Sequence, residues 1–320
     1  MKSISILVPK TAVTAAIVDA QYMFTSVNQF LTNEGKAVPF KVQLVGVTKT
    51  VELNQGTVSI TTDITLDEHP KQDLIIVPPI GQNISEALDL NSAIIPWLQK
   101  EYKKGVEIAS LCIGAFLLAE TGLLDNKSCS THWMFVDALK NRFPNVDVVN
   151  DLIITEENGL YTSGGATSYW NLLLHLVEKY TNKETAILIS KFFLLDINKN
   201  SQNAFTIFKG QRKHDDTDIL NLQNYIETSF DKKISIEELA NRCNLARRTL
   251  ERRFKKATNN TVIEYMQRVK IEVAKKELEN GRKTITEIMY EVGYSDSKSF
   301  RDVFKKYTSM SPIDYKKKYN

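Results

Sequence analysis

Residues 236–256 read IEELANRCNLARRTLERRFKK and residues 285–306 read ITEIMYEVGYSDSKSFRDVFKK, the second stretch being a variant of the first. Ile236–Ala240 aligns with Ile285–Met289 at an offset of 49. Leu250, Phe254, Lys255 and Lys256 align with Phe300, Phe304, Lys305 and Lys306 at an offset of 50. The one-residue slip falls in or just after a turn, where an insertion is cheapest. Each copy predicts a helix, a tight turn and a second helix. Asn244 stands where the first turn needs a left-handed residue, and the second copy's first helix ends at Gly293. Ser295 or Asp296 caps the helix that follows.

In a helix-turn-helix unit the second helix lies in the major groove, with its N-terminal residues at the base edges. The first copy presents Arg247, Arg248, Thr249, Arg252 and Arg253 around a buried Leu250 and Phe254. The second presents Ser297, Lys298, Ser299, Arg301 and Lys305 around Phe300 and Phe304. Arginine bonds two acceptors on guanine or bridges phosphates, so these are the candidate DNA contacts. The pairs Lys255-Lys256 and Lys305-Lys306 and the terminal Lys316–Lys318 read as phosphate contacts. A solvated face explains one basic helix; a basic second helix in each of two repeated units points to double-stranded DNA. Between the units, residues 262–278 predict an amphipathic helix with Val262, Met266, Val269, Val273 and Leu278 on its apolar side. Such a helix holds two recognition helices at a fixed separation, suiting successive major grooves about 34 Å apart.

Charge follows the same division. Residues 211–320 hold 24 Lys+Arg against 17 Asp+Glu, a net of +7, and the remainder holds 17 against 21, a net of −4. Only the C-terminal third is suited to a polyanion. With 320 residues, two domains are expected. The 42% hydrophobic and 25% charged content is that of a globular protein. No apolar run reaches membrane-spanning length, and the first residues show no signal-peptide pattern, which predicts a cytoplasmic protein. Cys112, Cys129 and Cys243 lack metal-ligand spacing, so no metal, cofactor or disulfide framework is expected. Cys129 and Cys243 read as buried small residues.

The first part is α/β. Ile4–Val8, Val42–Val47, Leu74–Val77 and Val106–Ala109 are short Ile- and Val-rich runs that suit a parallel sheet covered on both faces. Val13–Leu31 and Asn91–Lys104 read as crossover helices. Strands at Val146–Val149, Leu152–Thr155 and Leu160–Thr162 follow, the last two joined by a turn at Glu157-Asn158-Gly159. Helices at Thr167–Tyr180 and Glu184–Leu195 close the domain. The expected division is 1–196, a polar linker at 197–217, and an all-α domain at 218–320. That domain has helix-turn-helix units at about 234–256 and 284–306.

Residues 106–116, VEIASLCIGAF, read as strand, sharp turn and helix with Cys112 at the turn, the arrangement of a nucleophile elbow. A thiol there is expected to be exposed and to have its pKa lowered by the helix N-terminus. The loop 78–82, PPIGQ, His132 and Ser163-Gly164-Gly165 would meet it at the C-terminal edge of the strands, where open α/β sheets bind ligands. The N–H groups of Gly81 and Ile113 would then hold a carboxylate or carbonyl oxygen. The candidate ligand-site residues are therefore Gly81, Cys112, Ile113, His132, Ser163 and Gly164.

Two resemblances sharpen these readings. Residues 219–320 resemble the AraC family of regulators, on LARRTLERRFKK (245–256), VGYSDSKSFRDVFKKY (292–307) and SPIDYKKK (311–318). Val262 stands where that family has proline, and Ala246 where it has a Ser/Thr cap. Residues 1–196 resemble the glutamine-amidotransferase-like superfamily. The likeness is to its PfpI-type branch in the regulator-fused, GlxA-like form, on the Cys112 elbow, Ser130-Thr131-His132-Trp133 and Thr162–Ala166. The resemblance implies a flavodoxin-like fold and a homodimer. Hydrolytic members of the branch have histidine directly after the cysteine and an acid soon after the first strand. Here Ile113 follows Cys112, and residues 9–17 contain no Asp or Glu. Asn171 replaces the aspartate usual in the regulator-fused relatives. The expected function is a sequence-specific transcriptional regulator, not an enzyme, whose first domain senses a small metabolite or dimerises. The competing reading is a cysteine hydrolase or amidase using Cys112, with His132 as its base and a DNA-binding accessory domain.

Overall fold

In the computed structural model the chain divides into two compact units, Met1–Gln202 and Asn203–Asn320. All residues are described except His69, Pro70, Gln82, Asn150, Asn198, Lys199, Asn200 and Lys213. The loop residue Gln82 and four residues of the expected linker thus lie outside the described residues.

The first unit is built on strands β1 (Lys2–Val8), β2 (Phe40–Gly46), β3 (Thr50–Leu53), β4 (Val58–Thr61), β5 (Ile64–Thr65), β6 (Leu74–Val77) and β7 (Glu107–Ser110). Further along come β8 (Ser128–Cys129), β9 (Asp147–Val148), β10 (Ile154–Glu157) and β11 (Leu160–Ser163). Seven of them form one sheet in the order β10-β11-β7-β6-β1-β2-β5. It is parallel throughout except at the β10–β11 hairpin, which turns through the left-handed Asn158 and Gly159. Its helices are α1 (Thr14–Asn33), α2 (Ile84–Leu90), α3 (Ile94–Lys103), α4 (Ala115–Glu120), α5 (Val136–Arg142), α6 (Tyr169–Tyr180) and α7 (Lys183–Phe192). Helices α1, α6 and α7 pack together, as do α2, α3 and α4. With both faces covered, β6 is buried at every position, which is why central strands read as unbroken apolar runs.

The β3–β4 hairpin was not expected from the sequence. Its strands are only four residues long: β3 alternates exposed and buried positions, with Val51 and Leu53 in the core, and β4 alternates half-buried and exposed ones, with Val58 and Ile60 packed against it.

The second unit contains α8 (Thr217–Thr228), α9 (Ile236–Arg242), α10 (Arg247–Thr258), α11 (Val262–Asn280), α12 (Ile285–Glu291), α13 (Ser297–Thr308) and α14 (Pro312–Tyr319). It has two cores. One gathers Ile219, Leu222, Ile226, Leu239, Leu250, Phe254, Val262, Tyr265 and Val269. The other gathers Ile271, Ala274, Leu278, Ile288, Met289, Val292, Phe300, Phe304 and Tyr315. Helix α11 serves both, and reciprocal bonds between Thr261 and Glu264 start it while left-handed Gly281 ends it.

Candidate functional site

Strand register brings the N-terminal motifs together. Ser110 pairs with Val77 of β6 on one side and Thr162 of β11 on the other. The chain therefore leaves β7 flanked by Pro78 and Ser163. Leu111 is extended, Cys112 turns left-handed at φ 55°, and a short 3-10 turn leads into α4. A left-handed cysteine is strained by roughly 1–2 kcal/mol, and its neighbours hold it there. The Cys112 N–H donates to Ser163 Oγ at 3.2 Å, and Thr131 Oγ1 donates to the Cys112 carbonyl at 3.1 Å. Gly114 closes the turn against β6: a Cβ there would lie 2.6 Å from the Val77 carbonyl oxygen.

The thiol departs from its expected state. Burial pushes its pKa up, although the N–H groups of Ala166 and Ile113 both reach the sulfur and favour the thiolate. Cys112 is only 7% exposed, and the helix behind it is six residues long. Loss of solvation outweighs the helix terminus.

His132 sits on the short turn Trp133–Phe135 as its cap, its Nδ1 accepting the Met134 N–H at 3.1 Å. A backbone N–H can only donate, so the neutral ring carries its proton on Nε2. Partial burial lowers the ring's pKa and keeps it neutral. The ring lies on Gly165, where a Cβ would come within 1.9 Å of its Cδ2. His132 thus presents a donor. To act as a base toward Cys112 it would need a free lone pair at one nitrogen and an acceptor orienting the other.

Gly81 is not part of this arrangement as expected: its N–H donates to Thr11 Oγ1 at 3.3 Å. With the Ile113 N–H turned to the sulfur, the anticipated pair of oxygen-binding donors is not formed. Cys112, Ile113, His132, Ser163 and Gly164 do converge. Sequence reasoning missed three participants. Tyr169 donates to Asp19 Oδ2 at 2.5 Å; burial first, then Asp19 and least of all the charge of a Cys112 thiolate push its pKa up, which puts it within electrostatic reach of the elbow. Thr131 bonds the elbow through its side chain. Gln202, 2% exposed, donates from Nε2 to the Thr131 carbonyl at 2.8 Å and accepts the Gly165 N–H at 3.3 Å. It lay in a polar stretch read as linker, where no periodicity marks a buried residue. Cys129 is buried, whereas Cys243 is half-buried. Asn171 Nδ2 donates to the Asp196 carbonyl.

In the second unit both helix-turn-helix motifs have their anticipated caps and turns. Asn244 and Gly293 are left-handed at φ 51° and 74°. Asp296 caps α13 through the Ser299 N–H at 2.6 Å, and Ala246 leaves α10 without a side-chain cap. Arg248 and Arg252 are exposed one turn apart on α10, and their side chains have no hydrogen bond or ion pair within the described residues. Ser297, Lys298, Ser299, Arg301 and Lys305 are exposed on α13, and Thr249 is half-buried.

Two arginines are otherwise engaged. Arg247 pairs with Glu237 at 2.6 Å and Glu251 at 3.2 Å. Arg253 turns back to α8, bonding Asp216 through two nitrogens and Asp218 through one. Among the described residues no cluster of three His, Cys, Asp or Glu could hold a metal, and no helix is long and apolar enough to cross a membrane.

Comparison with known proteins agrees with both units. The helix-turn-helix domain family matches residues 239–318, and the DJ-1/PfpI family matches residues 13–179, just over half of the chain. The HTH-type transcriptional regulator GbdR of Pseudomonas aeruginosa is 27% identical over 256 residues, 80% of this chain and 69% of its own length. The HTH-type transcriptional regulator GlxA of Rhizobium meliloti is 23% identical over 218 residues, 67% of this chain and 66% of its own. Drosophila melanogaster DJ-1beta superposes with a TM-score of 0.51 at 22% identity, covering 61% of this chain and 98% of that one. A THiJ/PfpI family protein from Pseudomonas syringae does so with 0.51 at 19%, covering 61% and 75%. Those two likenesses show the fold of the first unit. The chain belongs to the DJ-1/PfpI family, in the form that carries an AraC-type helix-turn-helix domain, that of the HTH-type transcriptional regulators.

Proposed function

We propose that this regulator binds double-stranded DNA through the N-terminal residues of α10 and α13, and that its first unit binds a small metabolite without catalysing a reaction. The observation that carries the DNA reading is the exposure of Arg248 and Arg252 on one recognition helix and of Lys298 and Arg301 on the other. Both helices are buried on their opposite faces in cores that share α11. Arg247 and Arg253 belong to the interface only by exchanging their carboxylate partners for phosphate or base.

The metabolite site comprises Cys112, Ile113, His132, Ser163 and Gly164, with 1–196 as the sensing part, 197–217 as the connection and 218–320 as the DNA-binding part. The tautomer of His132 and the protonated thiol favour binding over hydrolysis. The chain acts in the cytoplasm as a homodimer, matching a repeated operator.

The deciding experiment is fluorescence anisotropy of the full chain on DNA upstream of its own gene, with scrambled competitor, at two salt concentrations. Binding that survives competitor and weakens in Arg252→Ala supports the reading. Equal, salt-sensitive binding to both DNAs refutes sequence recognition.

A further inference from the structure

We propose that the first unit's site is built for a neutral O=C–NH2 group, a primary carboxamide or a urea, and that Gln202 occupies it as an internal competitor. The inference rests on the reading of this unit as a metabolite sensor and names the ligand class. A glutamine this deeply buried gives up side-chain freedom and solvation, and is tolerated because its amide is paired. Among its partners are backbone groups of two different segments: the Gly165 N–H, which meets Oε1, and the Thr131 carbonyl, which meets Nε2. One donor and one acceptor facing the same amide select for that group. A carboxylate would set a second oxygen against the lone pairs of the Thr131 carbonyl. An ammonium, which has donors and no acceptor, would leave the Gly165 N–H unmatched.

The surroundings belong to the candidate site. Residue 164 is glycine, and a Cβ there would lie 3.1–3.4 Å from the Gln202 amide. Residue 165 is glycine beneath the His132 ring, and Ala166 reaches the Cys112 thiol. Thr131, whose carbonyl takes the amide proton, also bonds the Cys112 carbonyl.

Gln202 is followed in the chain by a strap fastened to the second unit's helices. Tyr319 donates to the Ala204 carbonyl, Lys275 to the Thr206 carbonyl, and the Phe208 N–H donates to Glu272 Oε2 at 3.1 Å. An amide ligand that displaces Gln202 therefore frees the residue covalently joined to the strap of the DNA-binding unit. That supplies the differential binding a population shift requires.

The test uses the Cys112 thiol as reporter in the full chain. Alkylation of Cys112 by iodoacetamide and by iodoacetate, which differ only in amide against carboxylate, is followed by peptide mass spectrometry. Each rate is normalised to that reagent's rate on glutathione. In Gln202→Ala the iodoacetamide rate rises by at least about tenfold more than the iodoacetate rate, the discrimination expected of one well-placed hydrogen bond. Propionamide protects Cys112 saturably in that variant, and at higher concentration in the wild type. Gln202→Glu, whose carboxylate faces the Thr131 carbonyl, opens the site in the same sense and serves if the alanine variant does not fold.

Equal acceleration of both reagents shows that Gln202 merely covers the thiol, and no acceleration shows that it occupies nothing; either overturns the proposal. The sensor reading is judged separately, by metabolite-dependent DNA affinity of the wild type. Such dependence without amide discrimination removes only the ligand class. Discrimination without any dependence removes only the sensor.

Discussion

At the scale of single residues, neighbours decide whether a recognisable side chain does what its type suggests. Cys112 has the strained backbone of a nucleophile and a thiol held protonated by burial. Cys129, fully buried, is pushed up to about 12. In both the fold favours the neutral thiol. That stability is complete below the unfolded pKa, near 8.5, and is lost as pH rises toward the folded value. Urea midpoints should therefore fall above about pH 8.5, with Cys129 contributing up to about 1.4 kcal/mol per pH unit. Cys129→Ala should show a shallower fall over the same range, and an unchanged slope would contradict the buried-thiol assignment.

Arginines separate by partner in the same way. Arg252→Ala should weaken operator binding by about 1–3 kcal/mol if the side chain reads a base, with the melting temperature unchanged. Arg253→Ala should lower the melting temperature, because it leaves Asp216 and Asp218 facing each other without a cation. Anisotropy and calorimetry on both variants distinguish the two roles.

At the scale of elements, the helix-turn-helix repeats were legible because their signals are local: an Asn or Gly at the turn, a cap, and apolar residues at helical spacing. Helix α11 was only half legible. One apolar stripe was expected through Val262, Met266, Val269, Val273 and Leu278, yet Met266 and Val273 are half-buried while Tyr265, Ile271 and Ala274 are buried. The helix changes its buried face midway because it enters two cores, and a single-stripe template averages over both.

Where the cores meet, Lys270 Nζ donates to the Val292 carbonyl at 2.7 Å and more weakly to the Lys232 carbonyl at 3.4 Å. It thereby joins the loop before α9 to the turn after α12. Gly293 approaches closely enough that a Cβ would lie 2.4 Å from the Asp231 carbonyl oxygen. Lys270→Met should cost about 1.5–3 kcal/mol, the range for a charged donor's hydrogen bond, read by urea denaturation. It should also relax the preference for one spacing between operator half-sites, whereas a change in stability alone would weaken all spacings equally.

At the scale of the whole molecule, the basic C-terminal unit predicts the form of the binding curve. Affinity for an operator with two half-sites about one helical turn apart should fall steeply with salt, and inserting half a turn between them should abolish the gain over a single half-site. A gel-shift series over spacing and salt checks both, and indifference to spacing would mean that only one helix reads DNA.

Sequence by itself determined the two folds, the main strand segments and the helices of the two repeats, since apolar period, turn residues and caps act between residues close in the chain. It also placed Cys112 at the elbow and His132 and Ser163 beside it. Tertiary structure alone decided the protonation of the thiol, the tautomer of His132, the diversion of Gly81 to Thr11, and the burial of Gln202 against Thr131 and Gly165. Each depends on solvation or on hydrogen bonds between segments far apart in the chain, and neither quantity is written in any one of them.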